Sequence, residues 1–222
     1  MALEQLLLDV ANALRYPVIG LALLALIAVV AQAGAFVVEL AGRRGRSFDR
    51  LERAATQSRA ALEAGDRETA IRALTHVASD AAMLAALSAL VGAWGRPGAD
   101  DRAAKLLADF DLASQRRLER SRLLVRAGPA LGLMGTLIPL SPALAALGDG
   151  DVEVLAEGLR VAFGVTVVGI LVGMVAFGLS LVRDRLYAQD HSDLEYVAAV
   201  LFDQPPPVDD RAPDALAVEA LA

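Results

Sequence analysis

The sequence predicts an all-α integral membrane protein with three transmembrane helices and long cytoplasmic helical extensions. Three observations carry that prediction. Ala127–Gly148 and Val161–Val182 are each 22-residue runs without one Asp, Glu, Lys or Arg. At 1.5 Å per residue, each makes about 33 Å of helix, enough to cross a hydrocarbon core of roughly 30 Å. Tyr16–Val38 is a third such run, with Gln32 its only strongly polar side chain, and the first span is read as residues 16–39. The third observation is composition. A chain that is 56% hydrophobic and only 22% charged, with a mean hydropathy of +0.49, is too apolar for an ordinary soluble domain of 222 residues.

Charge and cysteine usage exclude several classes of function. A net charge of -6 argues against nucleic acid as a partner, because phosphate binding needs clustered basic side chains. With no cysteine there is no disulfide framework and no thiolate nucleophile. His76 and His191 are far apart and read as solvated, without the spacing of a metal site. No nucleophile–base pair, phosphate loop or metal cluster is visible, so an enzyme is not expected and no cofactor is implied. Three spans without an inverted repeat also speak against a transporter that binds solute midway.

Along the chain, residues 1–15 place Leu3, Leu6, Leu7, Val10 and Leu14 at helical spacing, with Glu4, Gln5, Asp9 and Asn12 opposite. That pattern predicts an amphipathic helix outside, lying on lipid or against neighbouring subunits. In the first span Gln32 can bond a neighbouring helix, snorkel or bond its own backbone, and the sequence leaves these alternatives open. Sixteen of the 21 basic residues lie between the first and second spans and three follow the third, leaving Arg15 and Arg160 for the opposite side. By the positive-inside rule the N-terminus is expected outside and the C-terminus in the cytoplasm of a bacterial or archaeal inner membrane, with multiple passes.

Residues 40–126 read as a cytoplasmic helical region. Its first helix breaks at Gly65, and a helical pattern resumes from Asp66 to Trp94. Ala82–Val91 is apolar but too short to span, so it is expected to pack within the cytoplasmic bundle. Gly95, Pro97 and Gly98 mark a turn, with Asp100 or Asp101 placed to cap the next helix. From Arg102 nothing breaks the pattern before Gly128, so one helix is expected to rise from the cytoplasm into the second span, residues 127–148. Its charged stretch QRRLERSR reads as a solvated face. Residues 149–160 form a short acidic outside loop that leaves the second and third spans antiparallel neighbours. The third span, 161–182, is expected to run on through 183–203 as a cytoplasmic helix. Residues 204–222 begin at a proline run and read as a disordered tail.

Two motifs resemble the MotA/TolQ/ExbB proton-channel family, whose members form the ion-conducting stator subunits of bacterial energy-transducing machines. Pro129, Leu131, Gly132, Leu133, Met134, Gly135 and Thr136 are similar to the family's P-x-LGLLGT at the start of the second span. Leu155, Ala156, Gly158, Leu159, Ala162, Thr166 and Gly169 are similar to its IA-x-GI-x-x-AL-x-x-T-x-x-G pattern entering the third. The likeness covers roughly residues 120–190. Val161 stands where the ExbB and TolQ branches carry a Glu, so the chain resembles a divergent branch without that membrane carboxylate. Pro139 stands where many members have Gly and Pro142 follows it, so the second span is expected to bend between them.

The resemblance implies a homopentameric ring around a single-span partner of the ExbD, TolR or MotB kind, whose Asp carries the ion. No Asp, Glu, Lys, Arg or His lies within the apolar runs Tyr16–Val38, Ala127–Gly148 and Val161–Val182, so a titrating group has to come from such a partner. Thr136 and Thr166 are the ion-pathway residues the resemblance points to. Each hydroxyl can donate to an ionised carboxylate and accept from a protonated one, although a Thr in a membrane helix often bonds only the carbonyl one turn back. Gly128, Gly132, Gly135, Gly164, Gly169 and Gly173 are read as close helix contacts within and between subunits. The competing reading is a non-conducting membrane scaffold that uses the ring to hold or recruit a partner.

Overall fold

The structure is a computed structural model that describes residues 13–43, 47–148 and 150–202, together with residues 3, 6, 9 and 10. Most of the amphipathic helix expected over residues 1–15, and the tail expected over 204–222, lie outside the described residues. Among the described residues there are six helices: α1 (Arg15–Gly42), α2 (Phe48–Glu63), α3 (Arg67–Thr75), α4 (Ala81–Ala93), α5 (Ala99–Gly148) and α6 (Val152–Phe202). Helices α1, α5 and α6 are long and apolar enough to cross a membrane.

By contacts the chain divides into two compact units, Met1–Arg46 with Ala108–Ser192, and Ser47–Leu107 with Asp193–Ala222. In the first, α1 buries Val18, Ala22, Ala25 and Val29, a face at helical period, in a cluster with Leu131 and Ile138 of α5 and Val165, Val172, Ala176 and Leu179 of α6. The outer faces remain apolar. Leu21, Leu24, Ile27, Val30, Phe163, Val167 and Met174 are all more than half exposed. A monomer in water does not sustain so broad an apolar surface, and a lipid bilayer removes the penalty.

In the second unit, α2, α3 and α4 pack with the start of α5 and the end of α6. Buried residues there include Leu51, Ala55, Leu62, Leu74, Met83, Leu87, Leu90, Leu194, Val197 and Leu201. Side-chain caps define the starts of two helices. Asp66 accepts from the Thr69 amide at 3.0 Å and the Thr69 hydroxyl at 2.6 Å, and Asp80 accepts from the Met83 amide at 2.7 Å. The hydroxyl and amide of Thr69 hold the Asp66 carboxyl below its usual range. The Asp80 cap also explains a break the hydrophobic pattern does not show: the helix expected from Asp66 to Trp94 is interrupted between Thr75 and Ala81.

Two further helix starts differ from expectation. Helix α5 begins at Ala99, so Asp100 and Asp101 occupy its first turn and face the positive end of its dipole instead of capping it. Helix α6 begins at Val152, within the stretch read as a loop, with Asp151 accepting from the Val154 amide at 3.1 Å. The charges of Glu153, Glu157 and Arg160 mark where the apolar run starts and say nothing of where the helix does. Helix α5 also continues through Pro129, Pro139 and Pro142 without a break in assignment.

Removing the Asp66 cap gives a test of the second unit. The folded carboxyl is held below its unfolded value, so its contribution is present above the unfolded pKa and is lost as pH falls through the folded one. Asp66→Asn should therefore flatten the acid limb of a stability-versus-pH profile relative to the parent chain, measured by helix content at 222 nm in denaturant. An unchanged acid limb would show that the cap does not act.

Candidate functional site

Helices α5 and α6 run antiparallel and meet along a seam of small residues. A Cβ built on Gly128 would lie 2.7 Å from the Gly169 carbonyl oxygen and 2.7 Å from the Gly173 amide nitrogen. One on Gly169 would lie 2.6 Å from the Gly128 carbonyl oxygen and 2.7 Å from the Gly132 Cα. One on Gly173 would meet the Pro129 ring at 2.8 Å, and one on Gly135 would meet Val165 Cβ at 2.8 Å. Real Cβ atoms do not approach backbone so closely, so the two helices come together only because these positions carry hydrogen. Five of the six glycines singled out in the sequence therefore lie on one seam. Gly164 does not: a Cβ there meets nothing within 4 Å. The seam also includes Gly158, whose Cβ would lie 2.8 Å from the Ala143 Cβ. Gly158 stands in the second motif but was not singled out, since its place before the apolar run gives no hint of packing.

Thr136 and Thr166 follow Gly135 and Val165, which touch across the seam, so the two threonines lie at one depth on adjoining helices. Both are partly exposed. In the single chain each hydroxyl is engaged locally. Thr136 Oγ1 donates to the Leu133 carbonyl at 2.7 Å, and Thr166 Oγ1 donates to the Ala162 carbonyl at 3.0 Å. A hydroxyl that donates in this way keeps its lone pairs free to accept, and rotation about χ1 can redirect the proton.

Below the apolar part of this unit is a polar cluster that sequence reasoning did not assemble. Arg43 makes a two-pronged bond to Asp190, at 2.8 and 2.6 Å, with the two side chains only 6% and 2% exposed. Glu39, one turn before Arg43, bridges it to Arg183, at 3.3 and 3.5 Å. Arg183 also donates to the Ser121 hydroxyl and the Gln32 carbonyl, and its guanidinium lies 5.7 Å from the centre of the Phe36 ring. The Ser121 hydroxyl donates in turn to Gln32 Oε1 at 2.8 Å. Of the alternatives open for Gln32, the structure shows the interhelical bond. The i,i+4 spacing of Glu39 and Arg43 is the one sequence signal of this cluster; Asp190, 147 residues from Arg43, gives none.

Burial pushes the Tyr187 phenol on α6 up, the carboxylate of Glu39 pushes it further, and Arg183 and Arg117 act against both. The phenol therefore stays protonated at neutral pH. His191, read as solvated, is instead partly buried; His76 is exposed. Among the described residues no group of three His, Cys, Asp or Glu is placed to hold a metal.

These features define a multi-pass helical membrane protein whose spans are pinned by a small-residue seam and a buried ionic cluster. Residues 101–193 match the MotA/TolQ/ExbB proton channel family. The matched stretch contains the seam from both sides, both threonines and Asp190. That family is one of proton channels. None of the curated proteins is significantly similar to the chain.

Two sets of variants test the packing. Gly128→Val and Gly169→Val should each lower stability in detergent by about 1–3 kcal/mol through overpacking, while Gly164→Ala should change it by less than about 0.5 kcal/mol. Equal effects at all three positions would remove the seam from the account. For the ionic cluster, Asp190→Ala and Arg43→Ala should each cost about 3–5 kcal/mol by removing one partner of a buried two-pronged ion pair. The double variant should cost clearly less than the two singles together, and strict additivity would show that the pair is not coupled.

Proposed function

We propose that the chain is the channel and stator subunit of an ion-driven energy-transducing complex, with the proton as its ion. In this reading five copies form a ring around a single-span partner whose Asp carries the proton. The observation that carries it is the family match over residues 101–193, joined to apolar runs at Tyr16–Val38, Ala127–Gly148 and Val161–Val182 that hold no Asp, Glu, Lys, Arg or His. A proton crossing hydrocarbon needs a group that changes charge, so a partner carboxylate supplies what these helices lack.

Thr136 and Thr166, at one depth beside the seam, are proposed to line the path. They would exchange their local carbonyl partners for the carboxylate as it gains and loses its proton. Membrane potential provides about 2.3 kcal/mol per charge per 100 mV, which would drive rotation of ring against partner. The glycines and the small-residue seam would then hold each wall of the ring rigid while the centre turns. We place the N-terminus outside and the C-terminus in the cytoplasm of the inner membrane, on the distribution of basic residues.

A second reading, a non-conducting scaffold, draws support from the same threonines, because both hydroxyls are satisfied by backbone within the single chain. Ion flux separates the two. Reconstituted in liposomes with a single-span partner, Thr166→Val should lose flux about ten-fold or more, as expected for a lost hydrogen bond to a charged group, and Thr166→Ser should retain it. Flux absent from every form, including the parent, would favour the scaffold.

A further inference from the structure

The second unit carries a groove that the channel reading does not use. It has a volume of about 540 Å³ and lies between α4 and the start of α5, floored by Ala89, Gly92, Ala93 and Leu106. Its rim is cationic: Arg96, Arg102 and Lys105 stand along it, opposed by Asp101 alone. An apolar floor with a basic rim fits a peptide that alternates small aliphatic and acidic residues.

The chain contains such a peptide, and it starts beside the groove. The Phe202 ring packs against Trp94 with centroids 6.1 Å apart, and Trp94 immediately follows the groove-lining end of α4. The 20 residues that follow Phe202 hold Asp203, Asp209, Asp210, Asp214 and Glu219 against a single Arg211, interleaved with Val208, Leu216, Val218 and Leu221. Phe202 and Arg96 line an adjoining pocket together, and residues 203–208, with three consecutive prolines, reach about 19 Å if extended. Leu216 and Val218 then fall within reach of the apolar floor.

We propose that residues 209–221 dock in this groove of their own chain, with Asp209 and Asp210 paired to Arg96 and Arg102 and the following aliphatic residues on the floor. The short tether keeps the tail at high effective concentration, so weak contacts hold it and a competing acidic sequence would have to displace it. The proposal is independent of ion conduction. It would stand if the scaffold reading were the right one.

Cysteine chemistry tests it cleanly, because the chain has no cysteine. A Cβ at Gly92 meets nothing within 4 Å, so Gly92→Cys is tolerated on the groove floor. Full-length chain in native membranes, carrying Gly92→Cys with Leu216→Cys, should form an intrachain disulfide under copper phenanthroline. It should do so about ten-fold faster than the exposed pair Gln57→Cys with Leu216→Cys. Arg96→Glu with Arg102→Glu should abolish that advantage, and adding Asp209→Arg with Asp210→Arg should restore it. Equal rates for the two pairs, or an advantage insensitive to charge reversal, would overturn the proposal. So would crosslinking only between coexpressed single-cysteine chains, which would place the tail on a second copy.

Discussion

Backbone-to-backbone approach of α5 and α6 is the constraint on which the rest of the membrane unit depends. Within lipid there is no hydrophobic force between helices, because lipid tails are as apolar as leucine; what remains is packing, and packing improves with closeness. Hydrogen in place of a side chain at Gly128, Gly132, Gly169 and Gly173 permits that closeness, and Gly135 and Gly158 extend it towards the other end. The antiparallel register follows. Gly128 faces Gly173, Gly132 faces Gly169 and Ala143 faces Gly158, so a slip of one residue would drive a Cβ into a carbonyl. Thr136 and Thr166 reach a common depth as a by-product of this register.

A different force fixes α1. Its contact with the hairpin is built from Val18, Ala22, Ala25 and Val29, residues of modest size whose packing would tolerate some sliding. The bidentate Arg43–Asp190 pair and the Gln32–Ser121 bond tolerate very little, since each polar group has one geometry in which it is satisfied. Shape holds the hairpin, and charge sets the register of the first helix against it. The placing is physically sensible. Guanidinium groups at 43 and 183 sit at the ends of their apolar runs, where burying a charge costs less than it would at mid-span.

Much of this architecture was legible from the chain itself. Long charge-free runs identify apolar helices because lipid tolerates no unpaired backbone and few charges, and the glycine spacing in the two motifs marks the seam before any coordinates are seen. Other features had no local signal. The start of α6 at Val152 was hidden because hydropathy locates the hydrocarbon part of a helix and not its ends, and composition alone cannot tell which side of a helix Gly164 occupies. The Arg43–Asp190 pair joins residues 147 positions apart, a relation that becomes visible only after folding.

Three prolines inside α5 have an effect that reaches past helix shape. A proline nitrogen has no hydrogen to give, so the carbonyls of Val125, Gly135 and Ile138 lose the amide donor that would ordinarily lie one turn onward at Pro129, Pro139 and Pro142. The second membrane segment, which has no acidic side chain, thus owes part of its polarity to its main chain.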